Sequence, residues 1–417
     1  MASNVVAVSE KTIEPRLISY LPIDLIEAEI LPKLDPKSLI RFKTVCKSFN
    51  AIISSPEFID LHLRHSLSSN NRFLVTNRPC SDHIIDMYDL NSHSSVPTAT
   101  FWWPWDAYIL GSCNGLLLIS VTSHYADCLH LVLLNPSTRT YVELHSEDRD
   151  VVNGNIGFGF DDHSNDYKIV AVSHISNRTS TWRVTSVYSV NLKSWKVVDR
   201  ALTSDSLTKS YTRHNGLLIS NHLLHWIFES SYGYYQRIGC FDVIDEEWIR
   251  DIHFPDHYYN CRHKGEFLDV GVLDGCLFTS FVNRVDLLFD VWVMKEYGVQ
   301  ESWIKLLSVN IGNDPSGELV PIAKLFNEST NETPGGVVPG ACCGPGSSEV
   351  LHRNRIRSNK LFWYNWVDNA VIKPEIPVVW GHQPYFVKPS LVRLPNANPN
   401  LFGDMYIPDL YASHLQR

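Results

Sequence analysis

Apolar residues recur at helical spacing between Leu21 and Leu67, and two prolines interrupt this pattern. Asp35-Pro36 and Ser55-Pro56 each favour the start of a new helix, because proline fixes its own φ and disfavours helical geometry in the preceding residue. We therefore predict three short helices in this stretch. A unit of roughly 45 residues buries too little apolar surface to form a large core by itself, so it needs a partner surface.

The pattern changes after the polar run Ser68–Asn71, where short β-type runs bounded by turn residues replace the helical period. The clearest of these runs are Leu116–Ile119, Leu131–Leu134, Lys168–Val172, Val187–Val190 and Phe289–Val293. The pattern thus predicts an α+β chain of two parts, in which a small all-α module precedes a larger all-β domain.

A hydrophobic strand, a polar turn and an aromatic residue that opens the next strand form a unit that recurs along the all-β part. The aromatic residues of this unit are separated by 54, 53 and 55 positions, and they are Tyr141, Trp195, Trp248 and Trp303. A period near 50 residues built from antiparallel hairpins is typical of β-propeller blades. Residues 72–395 would then hold about six blades, and the regular spacing indicates that the aromatic residues pack the blades rather than bind a ligand.

Turn and loop signals add detail to the predicted propeller. Asn114-Gly115, Asn215-Gly216 and Asp274-Gly275 favour hairpin turns, because these pairs readily adopt positive φ. We also predict that Ser390–Leu394 is a strand that closes the ring. The Gly/Pro-rich insert from Asn310 to Ser348 is the most conspicuous candidate for a binding loop, with an excursion that lacks regular structure as the alternative.

Composition and charge narrow the classes of function. Of the 417 residues, 44% are hydrophobic and 19% are charged, a balance typical of globular proteins. The net charge is −9 and residues 1–65 are neutral, so the acidic excess lies in the all-β part and argues against a nucleic-acid binder. Neither an export signal nor a long apolar run is apparent, so we expect no membrane span and a location in the cytoplasm, the nucleus or both.

Candidate chemistry is sparse. Gly157 and Gly159 are two isolated glycines without the rest of a phosphate-binding motif, so a strand-edge turn is favoured over a phosphate site. Four potential zinc ligands fall within eleven residues, namely His253, His257, Cys261 and His263. Their spacing differs from that of structural zinc sites, and the segment is typical of a surface loop. No nucleophile elbow or metalloprotease motif is present, so we expect no enzyme activity, cofactor or metal, although the scattered carboxylates leave a glycosidase-like pair open.

The helical stretch closely resembles an F-box. The matching segments are Leu21–Ile26, Glu29–Leu31, Lys37–Phe49, Ile53–Phe58 and Leu61–Leu63. Later segments resemble the F-box-associated, kelch-like domain of plant F-box proteins, and these are Gly111–Leu117, Leu134–Arg139, Gly157–Asp161 and Tyr167–Val170. The sequence departs from the common F-box pattern in three ways: one extra residue precedes Glu29, Pro36 is displaced by one position, and Phe49 stands where Trp is usual.

The resemblance implies a flexible N-terminus (1–17), an F-box (18–66), a kelch-like β-propeller (70–395) and a C-terminal tail (396–417). It further implies that the F-box binds a Skp-type adaptor, which joins it to a cullin and a RING protein of a ubiquitin ligase, while the propeller holds an unknown protein substrate. The implied adaptor-binding residues are Leu21, Pro22, Leu25, Ile26, Ile30, Leu31, Leu34, Leu39, Phe42, Val45, Cys46 and Phe49. The alternatives are an adaptor-bound scaffold that acts outside degradation, and an intracellular glycan-binding or hydrolytic propeller.

Overall fold

A computed structural model describes residues 22–399 with internal gaps. The gaps are 70–72, 79–80, 93, 95, 104–105, 123–128, 145–154, 177–180, 203–215, 220–221, 230–235, 257–264, 274–275, 284–287, 311–323, 326–348, 354–359, 366–369, 378–384 and 395–396. The predicted N-terminal segment 1–17 and nearly all of the predicted tail 396–417 therefore lie outside the described residues.

Residues 23–68 form a helical module. Its first helical stretch runs through α1 (Ile23–Leu25), a π turn (Ile26–Ile30) and a 3₁₀ turn (Leu31–Lys33). It is followed by α2 (Pro36–Phe42), α3 (Lys47–Ser54) and α4 (Pro56–Ser68), so the predicted helix starts at Pro36 and Pro56 are confirmed. None of the described helices is long and apolar enough to cross a bilayer.

The structure differs from the prediction of three short helices, because the apolar pattern of residues 36–49 predicts one helix where the chain forms two, α2 and α3. Thr44 Oγ1 donates a hydrogen bond to the carbonyl of Arg41 at 2.7 Å, where the chain leaves α2. The backbone N–H of Phe49 then donates to Cys46 Sγ at 3.4 Å, which caps the start of α3. These local bonds break the helix without interrupting its apolar period.

The described part of the all-β domain consists of six antiparallel sheets, which are the blades. Blade 1 contains β1 (Phe73–Arg78), β2 (Ser81–Asp89), β3 (Ala99–Trp102) and β24 (Tyr385–Val387). Blade 2 contains β4 (Asp106–Cys113), β5 (Leu116–Thr122), β6 (Leu129–Asn135), β7 (Thr140–Leu144) and β25 (Asn398–Pro399). Blade 3 contains β8 (Asn155–Asp161), β9 (Asp166–Ser176), β10 (Thr181–Ser189) and β11 (Ser194–Leu202).

The remaining three blades follow the same order. Blade 4 contains β12 (Leu217–Ile219), β13 (Leu223–Glu229), β14 (Gln236–Asp242) and β15 (Glu247–Ile252). Blade 5 contains β16 (Gly265–Leu273), β17 (Cys276–Asn283), β18 (Leu288–Met294) and β19 (Trp303–Asn310). Blade 6 contains β20 (Lys324–Leu325), β21 (Glu349–Arg353), β22 (Lys360–Asn365) and β23 (Ala370–Pro377). The prediction of an all-β propeller of about six blades is confirmed.

The ring is closed by pairing between the two ends of the all-β domain. β24 lies antiparallel to β1, with Val387 opposite Phe73 and Tyr385 opposite Val75. The prediction that Ser390–Leu394 forms the closing strand is wrong. The carbonyls of Ser390 and Val392 in that segment accept hydrogen bonds from the Asn135 side chain instead of taking part in a sheet.

Hydrophobic cores lie between successive blades, as expected when each sheet must bury both faces. Separate clusters of buried side chains join blade 1 to blade 2, blade 2 to blade 3, blade 3 to blade 4 and blade 4 to blade 5. Gly157 belongs to this packing, since a Cβ at that position would lie 2.7 Å from Cζ2 of Trp226. The predicted strand-edge turn at this glycine is therefore wrong, and the residue lies within β8.

Four turns between neighbouring strands share one design. The first residue of each turn accepts hydrogen bonds from backbone N–H groups two or three positions later, and these residues are Asn135, Asp161, Ser189 and Asp242. The fifth residue has a positive φ of 52–57°, and these residues are Arg139, Asn165, Lys193 and Glu246. The turn preceding Tyr141, Trp195 and Trp248 is thus the same structural unit in three blades, which explains the sequence period.

Candidate functional site

The helical module begins its second helix at a well-defined cap. Asp35 accepts hydrogen bonds from the backbone N–H of Ser38 at 3.0 Å and from Ser38 Oγ at 2.6 Å. Partial burial acts to raise the pKa of Asp35, but the hydrogen bonds from Ser38 and from neighbouring N–H groups outweigh it and hold the pKa below its ordinary value. The carboxylate therefore stays ionised and fixes the start of α2.

The extra residue before Glu29 is absorbed by the π turn. The backbone N–H of Leu31 donates to the carbonyl of Ile26, five residues earlier, rather than to that of the fourth residue back. A π turn contains one residue more than an α-helical turn, so the insertion does not rotate the residues on either side. The flanking positions keep the relation that an uninterrupted helix would give them.

Phe49, which stands where Trp is usual in an F-box, is half-buried against the core of the helical module. Its ring centroid lies 6.2 Å from that of Phe42, in a tilted arrangement that aromatic pairs favour. Phe42 itself is exposed over about a third of its surface, so the pair connects the core to the outside of the module.

Several large apolar side chains of the helical module face solvent. Of the implied adaptor-binding residues, this group includes Leu25, Ile30, Phe42 and Val45, and Val45 is 64% exposed. Ile23 and Ile40 belong to the same group and are not among the implied adaptor-binding residues, although both lie within the segments that resemble an F-box. We refer to Ile23, Leu25, Ile30, Ile40, Phe42 and Val45 as the exposed apolar surface. So much apolar surface on a small module is typical of a protein-binding site.

Other residues implied as adaptor contacts lie beneath this surface or beside it. Leu31 and Leu39 are 2% and 0% exposed and pack with Ile53, Phe58 and Leu391 in the core of the module. They can support the surface but cannot form its outer face. Pro22 and Cys46 are exposed, Ile26 and Leu34 are half-buried, and Leu21 lies outside the described residues.

A buried histidine ties the first helical stretch to α4. His62 is 2% exposed, and its Nε2 lies 3.1 Å from the carbonyl oxygen of Leu34. Desolvation by burial lowers the pKa of His62, so the ring is neutral and donates this hydrogen bond at ordinary pH. The bond holds α4 against the end of the helical stretch that carries Leu25 and Ile30.

The recurrent aromatic residues pack the blades, as predicted. The ring of Trp248 lies 5.3 Å from that of Phe241, and its Nε1 donates to Thr185 Oγ1 at 3.0 Å. Trp303 is buried, and its Nε1 donates to the carbonyl of His253 at 2.9 Å. These bonds and stacks satisfy the rings within and between blades, which supports the structural role over a ligand site.

Among the described residues, one group of side chains brings three possible metal ligands together, namely Asp161, Asp162 and His163. Asp161 already accepts from Lys168 Nζ at 2.8 Å and from Ser164 Oγ at 2.6 Å, so the turn and a buried ion pair account for it. Of the four possible zinc ligands noted in the sequence, all but His253 lie outside the described residues. The insert from Asn310 to Ser348 also lies outside them, apart from Asn310 and β20.

Comparison with known proteins matches both parts of the chain. The F-box domain profile matches residues 18–61, and the F-box associated beta propeller domain profile matches residues 66–330. F-box protein CPR1 of Arabidopsis thaliana is 30% identical over 322 residues, which cover 70% of this chain and 73% of that protein. The F-box/kelch-repeat protein At3g23880 of the same plant is 31% identical over 309 residues, covering 69% of this chain and 79% of that protein.

Solved structures are more distant. An alpha-L-arabinanase of Penicillium chrysogenum covers 66% of this chain and 82% of its own, at 10% identity and a TM-score of 0.39. A likeness at this level carries no conclusion about the activity of the present chain.

Proposed function

The chain belongs to the family of F-box proteins with an F-box associated beta propeller domain, and from this premise we propose that it is the substrate-recognition subunit of a Skp–cullin–F-box ubiquitin ligase. The observation that carries the proposal is the exposed apolar surface of the helical module, which is attached to a propeller of blades packed through their own cores. The helical module binds a Skp-type adaptor, and the adaptor connects it to the cullin and the RING protein.

In this proposal the chain performs no covalent step. Its contribution is to raise the effective concentration of a bound target beside the ubiquitin-charged enzyme, which converts an encounter in solution into a reaction within one complex. Such a receptor acts in the cytoplasm or the nucleus. It needs neither metal nor cofactor for this purpose.

We place the target at the end of the propeller that faces away from the helical module. The segment after β24 contacts α4 and also the β4–β5 and β6–β7 turns, so the helical module lies at that end of blade 2. Because antiparallel strands alternate in direction, β5 ends and β6 begins at the opposite end of the blade. A target held there leaves the adaptor-binding surface free.

The proposal is tested with two substitutions of exposed valines in the full chain. Val45→Asp introduces a charge into the exposed apolar surface, whereas Val197→Asp makes the same change on β11 of blade 3, where Val197 is 48% exposed. We expect Val45→Asp to weaken binding to a purified Skp-type adaptor by at least about tenfold, or roughly 1.4 kcal/mol, and Val197→Asp to bind like the unmodified chain. Isothermal titration measures both.

Two results would contradict this expectation: no adaptor binding by the unmodified, folded chain, or equal affinity for the two variants. Addition of the cullin, the RING protein and a charged ubiquitin-conjugating enzyme then separates a receptor from a scaffold. Ubiquitin transfer to a protein held by the propeller supports the receptor. A bound protein that stays unmodified while the ligase is active would instead support a scaffold.

A further inference from the structure

A short segment that begins at the last residue of β24 enters three different hydrophobic cores. We call residues 387–394 the clasp. Val387 is 2% exposed in the core between blades 1 and 2, and Leu394 is 6% exposed in the core between blades 2 and 3. Leu391, which lies between them, is 4% exposed in the core of the helical module. Eight residues thus connect the two parts of the molecule through buried side chains.

Polar contacts fix the clasp to the C-terminal end of α4. Ser66 Oγ is buried and donates a hydrogen bond to the carbonyl of Pro389 at 2.5 Å. The Lys388 ammonium donates to the carbonyl of Ser69, the residue that follows α4. A backbone carbonyl and a lysine of the clasp therefore satisfy groups at the helix end, in addition to the apolar contact of Leu391.

On its other side the clasp is held by blade 2, mainly by Asn135. This fully buried residue donates from Nδ2 to the carbonyls of Ser390 at 3.1 Å and Val392 at 2.9 Å. The backbone N–H of Ser390 donates in turn to Ser137 Oγ at 3.2 Å. A buried amide that bridges two carbonyls is costly to remove, because both acceptors would lose their partners.

The turn at Asn135 has a counterpart in blade 4, where Asp242 occupies the equivalent position. Asp242 Oδ1 accepts from the N–H groups of Ile244 and Asp245, as Asn135 Oδ1 accepts from those of Ser137 and Thr138. The turn itself therefore needs only the oxygen, and an aspartate supplies it. The NH₂ group of Asn135 is not needed for the turn and instead donates hydrogen bonds to two carbonyls of the clasp.

Gly115 gives a second sign that blade 2 is adapted to the clasp. Its φ is +78°, and a Cβ at this position would lie 2.2 Å from Cβ of Ser390 and 2.7 Å from the carbonyl oxygen of Lys388. The Asn114-Gly115 turn thus leaves room for the clasp to lie directly against the backbone. A side chain here would displace it.

We propose that the clasp fixes the direction of the exposed apolar surface relative to the propeller, and that Asn135 is the positioning residue that closes it. Its importance for ubiquitin transfer rests on the proposed function, whereas the clasp itself does not. With the clasp closed, the adaptor and a target bound to the propeller keep one distance and orientation. An open clasp removes the buried contacts of Leu391 and the polar contacts of Lys388 and Pro389 that join the two parts.

The test is hydrogen–deuterium exchange on the full chain, with Asn135→Asp compared against Asp242→Asn. Asn135→Asp keeps the oxygen that caps the turn but replaces the NH₂ donor with an acceptor facing two carbonyls. We expect the amides of residues 390–394 to exchange at least about tenfold faster, the effect of leaving buried acceptors without donors, while β6 and β7 keep their protection. Asp242→Asn makes the reverse change where no clasp lies, and it should leave residues 390–394 unchanged.

Unaltered exchange of residues 390–394 in Asn135→Asp would overturn the proposal, and so would equal loss of protection in β6 and β7, because Asn135 would then serve the turn alone. If Asn135→Asp does not fold, Ser66→Ala is used to test the proposal. Alanine has a high helix propensity, so this substitution in α4 removes only the side-chain hydrogen bond to the carbonyl of Pro389. Unchanged exchange of the clasp in Ser66→Ala would then overturn the proposal. Adaptor titration of the unmodified chain is independent, so a lack of adaptor binding with a protected clasp refutes the proposed function only.

Discussion

At the scale of single residues, side chains at equivalent positions of the blade repeat differ in the hydrogen bonds that they make outside their own turn. Asn135, Ser189 and Asp242 each precede by six positions the aromatic residue that anchors the sequence repeat. All three cap the same turn, yet among the contacts of the described residues only Asn135 also bonds a segment more than 250 residues away. The repeat could be predicted from the sequence because the turn is local. The partner of Asn135 could not, because no local pattern encodes it.

His225 provides a pH dependence at the residue scale. The ring is buried, and its Nε2 lies 2.5 Å from the Tyr297 hydroxyl. Desolvation by burial lowers the pKa of His225 to about 4, despite opposing hydrogen bonds from backbone groups. The unfolded chain binds a proton near pH 6.5, so the neutral ring contributes its full stability above that pH and loses it as the pH falls from 6.5 toward 4.

We therefore expect the free energy of unfolding of the propeller to fall by about 2 kcal/mol from His225 alone between pH 8 and pH 5. Urea titrations followed by tryptophan fluorescence measure this, and His225→Gln serves as the variant that cannot titrate. The difference between the two chains should grow smaller as the pH falls. Parallel pH profiles for the two proteins would contradict the assignment.

At the scale of secondary-structure elements, helix starts were predictable and the inner break of the helical module was not. Asp35 and Ser55 cap α2 and α4 with side-chain oxygens, and each precedes a proline, so both signals are visible in the sequence. The break before α3 depends on a thiol cap at Cys46 within a continuing apolar period. Thiols are weak acceptors, so this cap carries little signal in a sequence.

The π turn gives a test at the element scale. Deletion of Ala28 should convert the turn to an ordinary α-helical turn and leave the exposed apolar surface in place, with adaptor affinity within about threefold of the unmodified chain. Deletion of Ala51 is the matched control, because this exposed alanine lies within the regular helix α3. Its loss rotates the rest of that helix by about 100° and should abolish binding. Equal effects of the two deletions in the adaptor titration would contradict the role of the π turn.

At the scale of the whole molecule, the blade repeat was predictable and the closure was not. A period near 54 residues predicts sheets whose strands are consecutive in the chain. β24 instead completes a sheet that begins more than 300 residues earlier, so the period gives no sign of it. The same limit applies to the core of the helical module, which contains Leu391. The apolar residues 21–67 predicted that the module needs a partner surface, and one part of that surface is the clasp.

Two leucines of the clasp separate the stability of the two parts. Leu391→Ala should cost about 2–5 kcal/mol in the helical module, and Leu394→Ala a similar amount in the core between blades 2 and 3. All 12 Trp residues lie beyond residue 100, so their fluorescence reports the propeller, while circular dichroism at 222 nm follows the helices. Leu391→Ala should lower the urea midpoint seen by dichroism with little change in fluorescence. The reverse order of effects would contradict the assignment of the two cores.

The position of Leu391 has a consequence for how the protein is made. A ribosome releases the helical module first, yet the core of that module lacks one of its members until residue 391 has been translated. The core of the helical module is therefore incomplete during most of synthesis, and it is completed only after β24, which closes the ring of blades, has been made. Under the proposed function, a nascent chain reaches its adaptor-binding form only when the propeller that would hold a target has also been translated.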